Sequence, residues 1–304
     1  MDLKTSTFIF ASALIIQQSC SKHKNTETQV NIMDTKADSI SLESGYSDVN
    51  GMKMYYEIYK PSQLDAAEQF PLVLIHGGGS TIESTFGRII PILAKNRQLI
   101  AVEMQAHGRT SDRANDLSFE QDADDVAALL KNINVAKADF FGFSNGGTTA
   151  LQIGMRHPQL VHKIIAASTI TKRSGAPDSF WSFMKQARLE NMPEQLKEAY
   201  RMVAADPKGL RTMHDKDAKR MVDFKDIPDE QIESIQAPTL IIIGDEDVVT
   251  PEHATEMHRL ISDSELAVLP GGHGDYLGEI TTLESDYKEG DFAVPMIENF
   301  LDKK

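Results

Sequence analysis

The segment "ADFFGFSNGGTTALQIGMRHP", residues 138–158, sets Ser144 between Gly142 and Gly146 where a strand-like apolar run gives way to a helical pattern. A Gly-x-Ser-x-Gly turn of this kind holds its serine in a strained bend, with the hydroxyl exposed above the sheet. The flanking glycines keep Cβ atoms out of a narrow space, and the N-terminus of the following helix favours negative charge developing near the serine. This spacing points to a nucleophilic serine. It does not suit a dinucleotide fingerprint, which wants glycine at position 144 and an acid about 20 residues on, where His162 stands.

A serine needs a base that is itself oriented by an acid, and this turn predicts the chain order serine, acid, histidine. Downstream, "TLIIIGDEDVVTP" runs from an apolar stretch into an acidic turn, and "ELAVLPGGHGDY" runs into a glycine-rich turn with His273. Both loops follow strand-like runs, so they are expected at the sheet edge that carries Ser144. Of the other histidines, His76 and His107 sit in loops, His157 ends a helix, and His214, His253 and His258 fall in helical stretches. Attack by the serine creates an oxyanion, and the turn rule makes the backbone N–H of Asn145 one donor to it. The acidic and histidine motifs lack metal-ligand spacing, and no cofactor is expected.

These residues require a frame. Apolar runs at 71–75, 99–104, 139–143, 164–167, 239–243 and 265–269 are mostly separated by helical stretches, which predicts a parallel sheet covered on both faces. Ser118 is placed to cap a helix carrying Ala123, Val126, Ala127 and Leu130. Asn50-Gly51 predicts a hairpin, because both residues tolerate positive φ. The alternation stops between Thr169 and Gln236, where Phe180, Phe183, Met184 and Ala187 make one helical stripe and Leu196, Ala199, Tyr200 and Val203 another. A helical insertion at about 170–236 is expected to roof the site. Phe180, Trp181 and Met184 are candidate substrate-lining residues there, with Phe183, Met192, Met202, Met213 and Met221 as further members of an adaptable apolar pocket.

The 304 residues, 41% hydrophobic with a net charge of -14, suit one large α/β domain and exclude a nucleic-acid partner, which demands a basic face. At the N-terminus, "MDLKTSTFIFASALIIQQSC" combines Lys4, a nine-residue apolar run from Phe8 to Ile16, and the only cysteine, Cys20. That run is too short for a membrane span, which needs about 20 residues, and reads as an export signal. Ser19-Cys20 resembles a bacterial lipoprotein signal, implying lipidation of Cys20 and an exported, membrane-anchored protein. Residues 21–44 are polar and aperiodic and read as a flexible tether, with order expected from Gly45.

From about Gly45 onward the chain resembles the α/β-hydrolase superfamily, through "GYSDVNGMKMYYEIY", "LIHGGGS", "AVEMQAHGRT", the serine turn, "GDEDVVTP" and "PGGHG" in that order. The resemblance implies a mostly parallel eight-stranded sheet with helices on both faces and a helical cap. It further implies Ser144 as nucleophile, Asp247 as acid, His273 as base and Gly78 as the second oxyanion donor, with Asp245 shaping its turn. The activity implied is cleavage of a carboxylic ester or lactone through an acyl-enzyme; carbon-carbon bond hydrolases and peptidases share the same triad. A further, fainter likeness is to serine esterases that open macrolides. A non-catalytic ligand-binding lipoprotein is the alternative from a different class. The stretch "GDYLGEITTLESDYKEG" before the last helix is longer than the family's usual link, and no role is assigned to it.

Overall fold

The computed structural model describes residues 31–33, 39–62, 70–283 and 290–304. The proposed signal and Cys20 lie outside them. Nine strands form one sheet among the described residues: β1 (Asn31–Met33), β2 (Ile40–Val49), β3 (Met52–Pro61), β4 (Leu72–Ile75), β5 (Leu99–Val102), β6 (Ala138–Phe143), β7 (Val161–Ala167), β8 (Thr239–Gly244) and β9 (Ser264–Leu269). Their order is β1-β2-β3-β5-β4-β6-β7-β8-β9. Pairing is antiparallel from β1 to β5 and parallel from β5 through β4 to β9. Strands β2 to β9 make the eight-stranded sheet expected from the resemblance, and β1 adds a three-residue edge.

Strands β4 and β5 are apolar at every position because each face supplies a different core. Leu72 and Leu74 of β4 enter one cluster while Val73 and Ile75 enter the other, and β5 divides in the same way, with Leu99 and Ala101 opposite Ile100 and Val102. The helices are α1 (Ile82–Phe86), α2 (Ile90–Leu93), α3 (Phe119–Asn132), α4 (Asn145–Arg156), α5 (Asp178–Lys185), α6 (Glu194–Val203), α7 (Gly209–Val222), α8 (Asp229–Glu233), α9 (Pro251–Leu260) and α10 (Gly290–Asp302). Apolar residues of α3, α4, α8 and α9 fill one cluster, and those of α1, α2 and α10 fill the other. Ser118 caps α3 by accepting the Gln121 N–H at 3.1 Å. The hairpin turns at Asn50 and Gly51, with φ of 44° and 88°.

One boundary requires correction. The tether expected over 21–44 is interrupted by β1 and by the first half of β2, so strand structure begins well before Gly45. Residues 40–44 pair with 61–57 of β3, and a Glu43–Lys60 ion pair at 3.2 Å crosses the two strands. A polar edge ribbon is held by backbone hydrogen bonds and such cross-strand pairs, and it leaves little hydropathy signal. Between β7 and β8 the chain leaves the sheet to form α5, α6 and α7, which carry residues facing Ser144, and α8, which packs into the sheet-face core. No helix among the described residues is long and apolar enough to cross a membrane.

Candidate active site

Ser144 sits between the end of β6 and the start of α4 at φ 55° and ψ −121°. Such a conformation costs on the order of 1–3 kcal/mol in a non-glycine residue and persists only where the surroundings enforce it. Here the Ser144 N–H donates to the Ala167 carbonyl at 2.8 Å, pinning the turn to β7. A Cβ on Gly142 would overlap the Gly146 carbonyl, and one on Gly146 would overlap the Ile75 carbonyl of β4. The glycines are therefore required by backbone crowding around the serine.

The loop after β9 brings His273 to this serine, with Nε2 3.1 Å from Ser144 Oγ. His273 Nδ1 lies 2.7 Å from Asp247 Oδ1, in the loop after β8. The two loops are tied by Gly271 N–H, which donates to Asp245 Oδ1 at 2.8 Å, so Asp245 shapes the turn and Asp247 faces the imidazole. Burial lowers the basicity of His273, but the charge and hydrogen bond of Asp247 outweigh it and hold its pKa above the ordinary value. Burial pushes the Asp247 carboxyl up, yet His273, the Ser168 hydroxyl and the Val249 N–H together hold it below the usual carboxylate range. With Nδ1–H donated to Asp247, Nε2 presents its lone pair to the serine, which is the tautomer a general base needs.

Two residues unannounced by any local motif extend this series. Ser168, at φ 50° just past β7, donates from Oγ to Asp247 Oδ2 at 2.5 Å. Its oxygen is in turn 2.7 Å from the hydroxyl of Tyr276, which is fully buried. Tyr276 belongs to the long link before α10, part of which thus braces the acid; residues 284–289 of that link lie outside the described residues.

Gly78 follows β4 and faces Asn145 across the opening above Ser144. A Cβ on Gly78 would overlap the Asn145 amide and the Asp217 carboxylate. His76 and His107 stand behind this loop. His76 Nδ1 donates to Gly77 O at 2.7 Å while its Nε2 accepts the Met104 N–H at 3.1 Å, and His107 Nε2 accepts the Gly79 N–H at 3.2 Å. Burial and the neighbouring His107 push the His76 pKa down to about 3, so it stays neutral and structural.

A cavity of about 290 Å³ opens over Ser144 and His273. Phe180 and Met184 of α5 line it, with Met192, Leu196, Met213 and Met221. Trp181 does not, contrary to expectation. It is one residue from Phe180, about 100° further round α5, whereas Phe180 and Met184 share a face at i, i+4. The Trp181 ring packs inward on Phe224 at 5.7 Å, under the Arg173 guanidinium, and its Nε1 donates to Arg173 O at 2.8 Å. Met202, 85% exposed, also lies away from the cavity. Among the described residues no cluster of histidine and acidic side chains could hold a metal ion.

Residues 71–212 match the family model for the alpha/beta hydrolase fold. The chain is similar to 2-hydroxymuconate semialdehyde hydrolase of Pseudomonas sp. (strain CF600), at 28% identity over 62% of this chain and 74% of that protein. It is also similar to human serine hydrolase BPHL, at 26% identity over 81% of this chain and 87% of that protein. Among solved structures, the enol-lactonase from Burkholderia xenovorans LB400 has the same fold, with a TM-score of 0.64 and 22% identity over 85% of this chain and 100% of that one.

Proposed function

We propose that this protein, which has the α/β-hydrolase fold, is a serine hydrolase of carboxylic esters or lactones. The observation that carries the reading is the unbroken series from Ser144 Oγ through His273 to Asp247, at 3.1 and 2.7 Å, on the floor of an apolar cavity. His273 Nε2 takes the hydroxyl proton as Ser144 attacks the carbonyl carbon. The N–H groups of Asn145 and Gly78 receive the oxyanion, Asn145 from the first position of α4, where the helix dipole adds to the field. The alcohol leaves with the proton held by His273. Water, deprotonated by the same imidazole, then releases the acid from Ser144.

Substrate class follows from the lining. Phenylalanine, methionine and leucine side chains suit an uncharged acyl group. Arg188, at the exposed rim, is the one basic side chain of that lining besides His214 and His273. At about 290 Å³ the cavity lies at the low end for ligand pockets, which favours a compact ester or lactone over a macrolide ring. Carbon-carbon bond hydrolysis is the second reading, supported by the similarity to 2-hydroxymuconate semialdehyde hydrolase.

The test is turnover of a panel of p-nitrophenyl esters and lactones, with a fluorophosphonate probe to label the serine. Ester turnover and labelling that both vanish in Ser144→Ala support the reading. Wild-type turnover retained by Ser144→Ala would end it, and an unlabelled wild-type serine would mark a binding protein instead. The N-terminal segment supports export and lipid attachment at Cys20; incorporation of labelled palmitate that persists in Cys20→Ala would remove that part.

A further inference from the structure

Asp217 lies on α7 of the cap, 72 residues from the turn that holds Ser144, yet its carboxylate reaches both sides of the oxyanion opening. Oδ1 accepts a hydrogen bond from the Asn145 side-chain Nδ2 at 3.2 Å. Oδ2 occupies the space beside Gly78 that a Cβ would need, and it stands 3.7 Å from His107 Nε2, the atom that accepts the Gly79 N–H. One carboxylate therefore contacts the side chain of one proposed donor residue, the backbone of the other, and the histidine that holds the loop between them.

The carboxylate is fixed in turn. Arg220, one turn further along α7, pairs with Asp217 and with Asp122 of α3, the latter at 2.6 Å. All three side chains are buried. A bare carboxylate beside a developing oxyanion would oppose catalysis; the guanidinium balances it and leaves its hydrogen-bonding directions in use.

Resting on the serine-hydrolase reading, we infer that Asp217 is a positioning residue that sets the two oxyanion donors in register and makes their alignment depend on the cap being docked. The donors must converge on one oxygen within a few tenths of an ångström, and they come from two separate turns, each held by its own neighbours, so their mutual spacing still needs a tie. A cap helix pressing a paired carboxylate against both turns supplies the missing constraint. Asp217 itself takes no part in the chemical steps.

The experiment is a double-mutant cycle on kcat with a p-nitrophenyl ester, using Asp217→Ala, Asn145→Ala and the double variant, each counted by fluorophosphonate titration so that unfolded protein is excluded. Asn145→Ala deletes the amide that Asp217 binds and keeps the backbone N–H. Each single variant is expected to lose about 10²-fold in kcat, the scale of a misplaced or missing oxyanion donor, with KM changed far less. The double variant should lose no more than either single one, because both act through the same contact. Asp217→Asn, which keeps an acceptor for Nδ2, should recover part of the rate. A boronic acid that mimics the tetrahedral intermediate should bind more weakly by the same factor as kcat falls. Unchanged kcat in Asp217→Ala, losses that multiply in the double variant, or an effect confined to KM would overturn the inference while leaving the hydrolase reading intact. Failure of the probe to label wild-type Ser144 would overturn both.

Discussion

The Ser168 hydroxyl donates to Asp247 Oδ2 across 2.5 Å, on the opposite side of the carboxylate from His273. Asp247 is thereby held by four groups: His273, Ser168, the Val249 N–H at 3.0 Å and, through Ser168, Tyr276. Its side chain is fully buried, so every lone pair not satisfied by protein would go without a partner.

Removing that support should weaken the acid without removing it. Ser168→Ala leaves Oδ2 unpaired and is expected to lower kcat about tenfold, the scale of one hydrogen bond to a buried charge. Tyr276→Phe, which frees only the far side of Ser168, should cost less. Steady-state kinetics of the two variants check the ranking, and a larger loss in Tyr276→Phe would contradict it.

The rate should follow the protonation of His273. Attack requires neutral imidazole, and the folded pKa lies above the ordinary 6.5 because Asp247, with a contribution from Glu279, outweighs burial. Activity therefore rises with pH, and its acid limb has a midpoint above 6.5. Asp247→Asn removes the main stabilisation of the imidazolium and leaves burial, so the midpoint should move to lower pH while kcat falls by about 10³–10⁴. A pH profile of kcat/KM for both proteins tests the sign.

Arg220 is expected to matter for stability as well as for the site. Its side chain is 5% exposed and pairs with two buried carboxylates. Arg220→Met would strand both and should cost about 3–5 kcal/mol, read as a lowered urea midpoint. Part of that loss should be recovered at acidic pH, because burial already pushes the Asp122 carboxyl up to about 6 and protonation would relieve it.

The two neighbouring aromatics of α5 should separate by phenotype. Phe180→Ala enlarges the cavity and is expected to raise KM for bulky esters several-fold with little change in stability. Trp181→Ala removes a buried ring and two hydrogen-bond contacts, and should destabilise by about 3–5 kcal/mol with a smaller effect on KM. Thermal melts alongside ester kinetics distinguish them.

Much of this protein is legible along the chain. The serine turn declares itself because a strained φ and two crowded glycines are demands on adjacent residues, and β4 and β5 declare themselves because burial on both faces leaves them no polar position. The order of motifs carries the resemblance, and the resemblance implies Asp247 rather than its neighbour Asp245 as the acid. Side-chain direction on a short helix is less legible: the apolar stripe of α5 gave Phe180 and Met184 a common face, but nothing local said that this face meets the cavity while Trp181 meets the core.

What the tertiary structure alone decided are pairings between residues that no pattern links. Ser168 finds Asp247 at a separation of 79 residues and Tyr276 at 108, and Asn145 finds Asp217 at 72. A serine, a tyrosine and an aspartate in mixed surroundings carry no periodicity, and the positive φ of Ser168 is not announced by a flanking glycine. Their partners depend on how the strand ends, the cap and the link before α10 come to rest together. Local chemistry is written in neighbouring residues, and convergence is a property of the packed whole.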